Sequence, residues 1–146
     1  MIQPNPTHRA RLLILDEDRI MLQSLAQFLR REGYDVRTTD NAPAAMQELS
    51  SGTVDVLLAD INLPGTKPAD LLRDIRRQSP QTVVVVITSY GSIENAVEAI
   101  KLGAYDYLTK PIVDEEIRTV VEKAVRQQAL VAENFALKSQ LDHRFG

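Results

Sequence analysis

The chain alternates between short apolar runs and longer segments in which apolar residues recur three and four positions apart. Apolar runs of this length are too short for helices and are typical of strands buried in a parallel sheet. The longer segments predict amphipathic helices. The predicted strands are 12–15, 34–39, 54–59, 83–87 and 105–108, and the predicted helices are 18–31, 42–49, 68–77, 92–102 and 114–141.

This regular alternation of strand and helix predicts a doubly wound α/β fold with a five-stranded parallel sheet. Right-handed crossovers would place helices on both faces of the sheet, in a single three-layer domain. Residues at the helix ends agree with this assignment. Gly33 follows the first helix, Pro43 and Pro68 stand in the first turns of later helices, and Asp18 and Ser92 are candidate N-terminal caps.

The domain needs only the middle of the chain. Residues 1–10 contain two prolines and no periodic pattern, so we expect a flexible leader. Residues 11–126 hold the alternating elements, and 127–146 extend the last helix. Residues 114–141 would form a helix about 42 Å long, and about half of that length suffices to cover the sheet.

The helical extension carries a stripe of its own. Leu130, Asn134, Leu137 and Leu141 are spaced by four, three and four residues, as at heptad positions d, a, d and a. An Asn at position a is a known device for fixing the register of a parallel dimer. We therefore expect a coiled-coil dimer seam here, with a flexible linker as the alternative.

Composition excludes several classes of protein. The net charge of −3 lacks the positive excess of a nucleic-acid binder, so we expect no direct nucleic-acid binding. Without cysteine the chain can form neither a disulfide nor a thiolate metal site. No apolar run approaches the roughly 20 residues that span a membrane, and the N-terminus does not resemble a secretory signal. We expect a cytoplasmic protein.

Polar side chains follow four of the five predicted strands, at the sheet edge where such folds bind ligands. They are Asp16 with Glu17, Asp60, Thr88 and Lys110. Each has an ordinary interpretation alone, as a helix cap or a surface residue, but their joint position favours a site. Clustered carboxylates require a cation, and oxygen ligands without His or Cys favour Mg²⁺. Mg²⁺ beside a carboxylate indicates phosphoryl chemistry, with an acyl phosphate as the product.

Four segments resemble, in order and spacing, the receiver domain of two-component response regulators. They are LLILDED, VDVLLADINLPG, VVVVITSYG and GAYDYLTKP, within residues 11–126. The resemblance implies a flavodoxin-like sheet with strand order 2-1-3-4-5. It also implies Mg²⁺ as the cofactor and a sensor histidine kinase as the phosphoryl donor. Such a domain catalyses its own phosphotransfer and slow dephosphorylation but is not a turnover enzyme.

The resemblance also implies a role for each matching residue. Asp60 corresponds to the phosphoacceptor and Lys110, with a cis bond before Pro111, to the lysine of the family motif. Thr88 and Tyr107 correspond to the residues that switch. The metal ligands implied by the resemblance are Asp16, Glu17, Asp60 and the backbone carbonyl of Asn62.

Glu17 and Tyr90 stand at positions of the family pattern where the residue type affects the chemistry of the site. Glu17 stands where the family most often has Asp, and its longer side chain would alter the metal geometry. Tyr90, two residues after Thr88, corresponds to a variable position that tunes the lifetime of the phosphoryl group, which a bulky side chain would shield from water.

A narrower resemblance concerns the C-terminal half. SYGSIENAVEAIKLGAYDYLTKPI resembles the receivers of nitrogen-regulation type activators of sigma-54 RNA polymerase. LVAENFALKSQLDHRFG is similar to the linker that precedes the AAA+ ATPase in those proteins. This implies a homodimer, and a longer parent chain with AAA+ and DNA-binding output domains.

Two other functions are consistent with parts of the pattern. Asp16-x-Asp18 resembles the nucleophile motif of haloacid-dehalogenase-like phosphatases, in which Asp16 would be the nucleophile. That alternative leaves Asp60 unexplained. A degenerate receiver that serves only as a dimerisation module is the other alternative, and Glu17 is the one residue that favours it.

Overall fold

A computed structural model describes residues 9–89 and 93–145, and within these ranges all side chains except those of 93, 95 and 139–145. Strands and helices alternate throughout. The strands are β1 (Arg11–Leu15), β2 (Asp35–Thr39), β3 (Val56–Asp60), β4 (Val83–Ser89) and β5 (Asp106–Lys110). The helices are α1 (Arg19–Arg31), α2 (Ala42–Ser50), α3 (Pro68–Gln78), α4 (Ile93–Lys101) and α5 (Asp114–Phe145).

The five strands form one sheet in the order β2-β1-β3-β4-β5, and every neighbouring pair is parallel. The predicted fold class and strand order are therefore confirmed. Because all strands run in one direction, their carboxyl ends lie at one edge of the sheet. The residues of β3 are all buried, as expected for a central strand covered on both faces.

The sheet separates two apolar clusters. One lies between the sheet and helices α1 and α5, and the other between the sheet and helices α2, α3 and α4. Successive residues of a strand alternate between them, so that Leu58 belongs to the first cluster and Ala59 to the second. Among the described residues, no helix combines the length and the apolar composition needed to cross a membrane.

Strands β4 and β5 continue two residues beyond their predicted ends. The apolar pattern stops at Ile87 and Leu108, where the side chains become polar. The backbone ladder goes on, because Thr88 lies opposite Thr109 and Ser89 opposite Lys110. The polar residues at this edge are consequently held by strand pairing.

The helix caps follow the predicted pattern. Asp18 caps α1, and its carboxylate accepts hydrogen bonds from the backbone N–H groups of Ile20 and Met21. Gly33 ends that helix with φ near 101°, a conformation that favours glycine. The proposed cap Ser92 lies outside the described residues.

Helix α5 extends well beyond the sheet. It runs unbroken through position 126, where we placed the domain boundary from sequence. Val131 still packs against the core, and the Gln128 side chain donates a long hydrogen bond of 3.5 Å to the carbonyl of Gln81. The limits 1–10, 11–126 and 127–146 remain proposals.

Two isoleucines provide a matched test of the core. Ile87 is fully buried in β4, whereas the Ile20 side chain on α1 is 82% exposed. We expect Ile87→Ala to lower the free energy of unfolding by about 2–5 kcal/mol, because it leaves a cavity. Ile20→Ala should change it by less than about 0.5 kcal/mol. Urea denaturation of both variants measures this, and equal losses would contradict the assignment of Ile87 to the core.

Candidate functional site

Three charged side chains meet at the carboxyl edge of the sheet. Asp16 directly follows β1 and is fully buried, and Asp60 is the last residue of β3, with 4% of its surface exposed. Lys110 ends β5. Its Nζ atom lies 2.7 Å from Oδ2 of Asp16 and 3.1 Å from Oδ2 of Asp60. One ammonium group therefore contacts two neighbouring buried carboxylates and compensates part of their charge.

The loops after the strands orient both carboxylates in the same way. Oδ1 of Asp16 accepts a hydrogen bond from the backbone N–H of Asp18 at 2.9 Å, and Oδ1 of Asp60 accepts one from the N–H of Asn62 at 2.8 Å. Each carboxylate thus has one oxygen fixed by its own loop and presents Oδ2 to the lysine. Each carboxylate is thus oriented by a backbone N–H group two residues further along the chain.

Oδ2 of Asp16 is buried but receives no well-aligned hydrogen bond. The Lys110 ammonium is close enough for strong charge attraction, but its direction does not satisfy this oxygen's lone pairs. A buried carboxylate oxygen that lacks such a partner is costly. The oxygen is therefore suited to accept a further positive group.

The ammonium of Lys110 is stabilised in its charged form. Partial burial by itself lowers the pKa of Lys110, but the close contact with the Asp16 carboxylate, the hydrogen bond that Lys110 donates to Asp60 and the charge attraction of both acids together outweigh that effect. The pKa of Lys110 is therefore raised above its usual value. The lysine stays protonated at neutral pH and acts as a fixed cation at this edge of the sheet.

The two residues expected to switch differ in exposure. Thr88 is 2% exposed in β4, next to Ile87, which lies opposite Asp60 in the ladder. Tyr107 is 41% exposed on the edge strand β5. The phenol therefore does not belong to the core in this structure.

Other predicted site residues lie at the periphery. The Glu17 side chain is exposed, and among the described residues no three His, Cys, Asp or Glu side chains are close enough together to hold a metal ion. Asn62 is joined to the site through its N–H group. Asp18, the second acid of the phosphatase-like motif, serves as a helix cap.

The peptide bond between Lys110 and Pro111 is cis, as the resemblance implies. Tyr90 lies outside the described residues.

Sequence reasoning missed the contact between Lys110 and Asp16. The resemblance gives Lys110 as the lysine of the family motif and Asp16 as a metal ligand, without a contact between the two. The available signal was the strand order, because β1 and β3 are neighbours and their terminal acids must lie side by side. The reach of the lysine side chain has no signature in the sequence.

A family model described as the response regulator receiver domain matches residues 12–122. This covers all of the sheet except Arg11 and most of the described chain. The fold, the acid pair and the lysine agree with that match, and the chain belongs to the response regulator receiver domain family.

Individual relatives agree with the family model. The response regulator protein PilR of Pseudomonas aeruginosa is 35% identical over 133 residues, which are 91% of this chain and 30% of PilR. The chain thus spans under a third of the length of that relative. The crystal structure of NtrX from Brucella abortus is similar with a TM-score of 0.81 and 32% identity, covering 89% of this chain and 30% of NtrX.

A third similar protein was solved as an assembly. The beryllofluoride-activated NtrC4 receiver domain dimer matches with a TM-score of 0.76 and 31% identity. The match covers 81% of this chain and 98% of that one.

Removing the Lys110 ammonium tests the charge balance of the site. We expect Lys110→Met to lower the free energy of unfolding at pH 7 by about 3 kcal/mol, because two buried carboxylates lose their shared cation. The loss should shrink above about pH 11, because the unsubstituted chain then begins to lose the Lys110 proton as well, at a pKa raised above the usual value of about 10.4. Urea denaturation at both pH values measures it.

The exposed Lys101 of α4 provides the control. Lys101→Met should leave stability within about 0.5 kcal/mol at either pH. A loss in Lys110→Met that is the same at both pH values would contradict a charge-compensating role.

Proposed function

We propose that the chain is a phosphorylation-controlled receiver in which Asp60 accepts a phosphoryl group from a sensor histidine kinase. The contact of Lys110 with both Asp60 and Asp16 carries this proposal. It places a fixed positive charge at the carboxylate where negative charge would accumulate during transfer. Electrostatic stabilisation of this kind is the main protein contribution to phosphoryl transfer.

The residues present fit a magnesium ion. Asp16 contributes a buried carboxylate oxygen without an aligned hydrogen bond, next to the Asp60 carboxylate. Oxygen-only donors of this type suit Mg²⁺, which uses one or two carboxylates and keeps other positions for water or phosphate. We propose Asp16 and Asp60, which lie together at the sheet edge, as ligands, and Glu17, whose side chain is exposed, and the carbonyl of Asn62 as further ligands. When bound, the ion would neutralise charge on the phosphoryl oxygens.

Each residue has a defined task in the transfer. The phosphorus–nitrogen bond of the donor phosphohistidine breaks, and the nitrogen keeps the electron pair. An oxygen of Asp60 forms the new bond to phosphorus. Lys110 pairs with the phosphoryl oxygens, and the Thr88 hydroxyl moves to donate a hydrogen bond to them. Tyr107 then leaves its exposed position and packs inward, which changes the face formed by α4, β5 and α5.

The output of this switch lies in a longer parent chain. We propose AAA+ and DNA-binding domains after the linker and control of sigma-54-dependent transcription in the cytoplasm. The chain would form a homodimer through the seam of Leu130, Asn134, Leu137 and Leu141. Leu130 and Leu137 are 58% and 50% exposed and Asn134 is exposed, as a seam requires, while the Leu141 side chain is not described.

Asp60→Asn tests the phosphoacceptor. With acetyl phosphate and Mg²⁺, the unsubstituted 146-residue chain should gain one phosphoryl group, as measured by intact mass spectrometry. Asp60→Asn should gain none, because an amide cannot form the acyl phosphate. Asp74→Asn, on the exposed surface of α3, should be labelled like the unsubstituted chain. Persistent full labelling of Asp60→Asn would overturn the assignment.

Two further outcomes distinguish the alternatives. Steady turnover of a phosphomonoester that is lost in Asp16→Asn but kept in Asp60→Asn would favour the phosphatase. Failure to bind Mg²⁺ and beryllofluoride would favour the degenerate dimerisation module.

Light scattering tests the coupling of phosphorylation to assembly. We expect the dimer fraction to change when beryllofluoride and Mg²⁺ are added, because the mimic acts on the face next to α5. Asp60→Asn should show no change. An unchanged monomer in both conditions would remove the coiled-coil proposal.

A further inference from the structure

The loop after β1 passes directly into a helix, whereas the loop after β3 does not. Helix α1 begins at Arg19, three residues after Asp16, and helix α3 begins at Pro68, eight residues after Asp60. The residue before α3, Lys67, makes no capping hydrogen bond with its side chain. The cap of α1, in contrast, lies inside the loop that carries Asp16, so that the carboxylate and the helix start belong to one short structure.

Asp18 connects the carboxylate to the helix. Its backbone N–H donates a hydrogen bond to Oδ1 of Asp16 at 2.9 Å. Its own carboxylate accepts hydrogen bonds from the N–H groups of Ile20 and Met21, both at 3.1 Å, and its carbonyl accepts one from the N–H of Leu22 at 3.0 Å. The conformation of Asp18 that caps α1 is therefore the conformation that directs its N–H group toward Asp16.

Two further contacts involve this loop. The N–H of Asp16 donates to the carbonyl of Thr39 at 3.2 Å, which fixes the backbone before Asp18. Arg19 contacts Asp40 at 2.9 Å, but the arginine side chain is 81% exposed, and an exposed ion pair of this kind contributes little to stability. The capping side chain of Asp18 is consequently the stronger anchor on the helical side of the loop.

Asp18 is poorly placed to hold a metal ion itself. Its Oδ1 atom already accepts two backbone hydrogen bonds, and its side chain is exposed. Within the described ranges it does not form a group of three potential metal ligands with other acids. Its contribution to the site is therefore one of geometry.

The strength of the cap affects how firmly the Asp16 carboxylate is oriented. A capping side chain favours the helix start over the uncapped form by about fivefold relative to alanine. A loop that is docked for only part of the time lowers the apparent affinity for a ligand in proportion to the docked fraction. The affinity for Mg²⁺ should thus follow the strength of the cap, without any contact between Asp18 and the ion.

We propose that Asp18 is a positioning residue for the magnesium site, which holds the Asp16 carboxylate in its binding orientation by capping α1. This rests on the magnesium site named under the proposed function and adds to it a residue outside the ligand set. The cap of a helix thereby influences a metal site that its side chain does not touch.

Two substitutions of Asp18 separate its capping role from its charge. Asp18→Ala removes both, and it should raise the Kd for Mg²⁺ about threefold to fivefold, measured by isothermal titration calorimetry. Asp18→Asn removes the charge, but asparagine caps helices as well as aspartate, so the Kd should stay within about twofold. An Asp18→Asn variant as weak as Asp18→Ala would overturn the proposal, because Asp18 would then act through its charge.

Asn41 provides the matched control for the loss of a cap. Its side chain caps α2 by accepting a hydrogen bond from the N–H of Ala44 at 2.9 Å. Asn41→Ala should lower the urea midpoint about as much as Asp18→Ala and leave the Kd for Mg²⁺ unchanged. Equal losses of Mg²⁺ affinity in the two variants would show an effect of general destabilisation and would contradict the positioning role.

Hydrogen exchange measures the orientation of the loop without any metal. The N–H group of residue 18 is the donor to Asp16, so its protection factor, measured by NMR, should fall about threefold to fivefold in Asp18→Ala. It should not change in Asp18→Asn or in Asn41→Ala. An unchanged protection factor in Asp18→Ala would overturn the proposal. Failure of the proposed function is observed separately, as absence of phosphoryl labelling in the unsubstituted chain.

Discussion

The contact of one lysine with two buried carboxylates is the interaction on which the site depends. Burying Asp16 and Asp60 side by side is unfavourable unless a cation compensates their charge. Lys110 supplies that cation from the edge strand β5, two strands away from the strand of Asp60. The lysine is the last residue of the edge strand β5, so its position beside the two acids depends on the pairing of β1, β3, β4 and β5.

That requirement explains how local structure produces the site. Asp16 and Asp60 are oriented by their own loops through N–H groups two residues ahead. Lys110 is held by pairing with Ser89 in β4, which in turn pairs with the strand of Asp60. The acids and the lysine are thus tied together through continuous backbone hydrogen bonds. A change in one strand end can reach the others through rigid structure.

Much of this could be predicted from the sequence, because the determinants are local. The alternation of apolar runs and amphipathic helices predicted the sheet, and the polar residues after the strands predicted its functional edge. The ends of β4 and β5 could not be predicted, since side-chain polarity hides a ladder that depends only on the backbone. The distance from Lys110 to Asp16 depends on side-chain reach across neighbouring strands, and the exposure of Glu17 depends on how its loop turns.

Helix α5 gives the domain a mechanical property that its core alone would lack. Beyond Val131 the backbone continues as an uninterrupted helix to Phe145, and none of the side chains described between 132 and 138 belongs to the core cluster. This projecting segment is about 21 Å long, so each 10° of tilt at its base displaces its end by about 4 Å. Small rearrangements beside β5 are thereby converted into displacements comparable to the diameter of a side chain. The helix would therefore act as a lever, and its bending stiffness would determine how much of a tilt at its base reaches its C-terminal end.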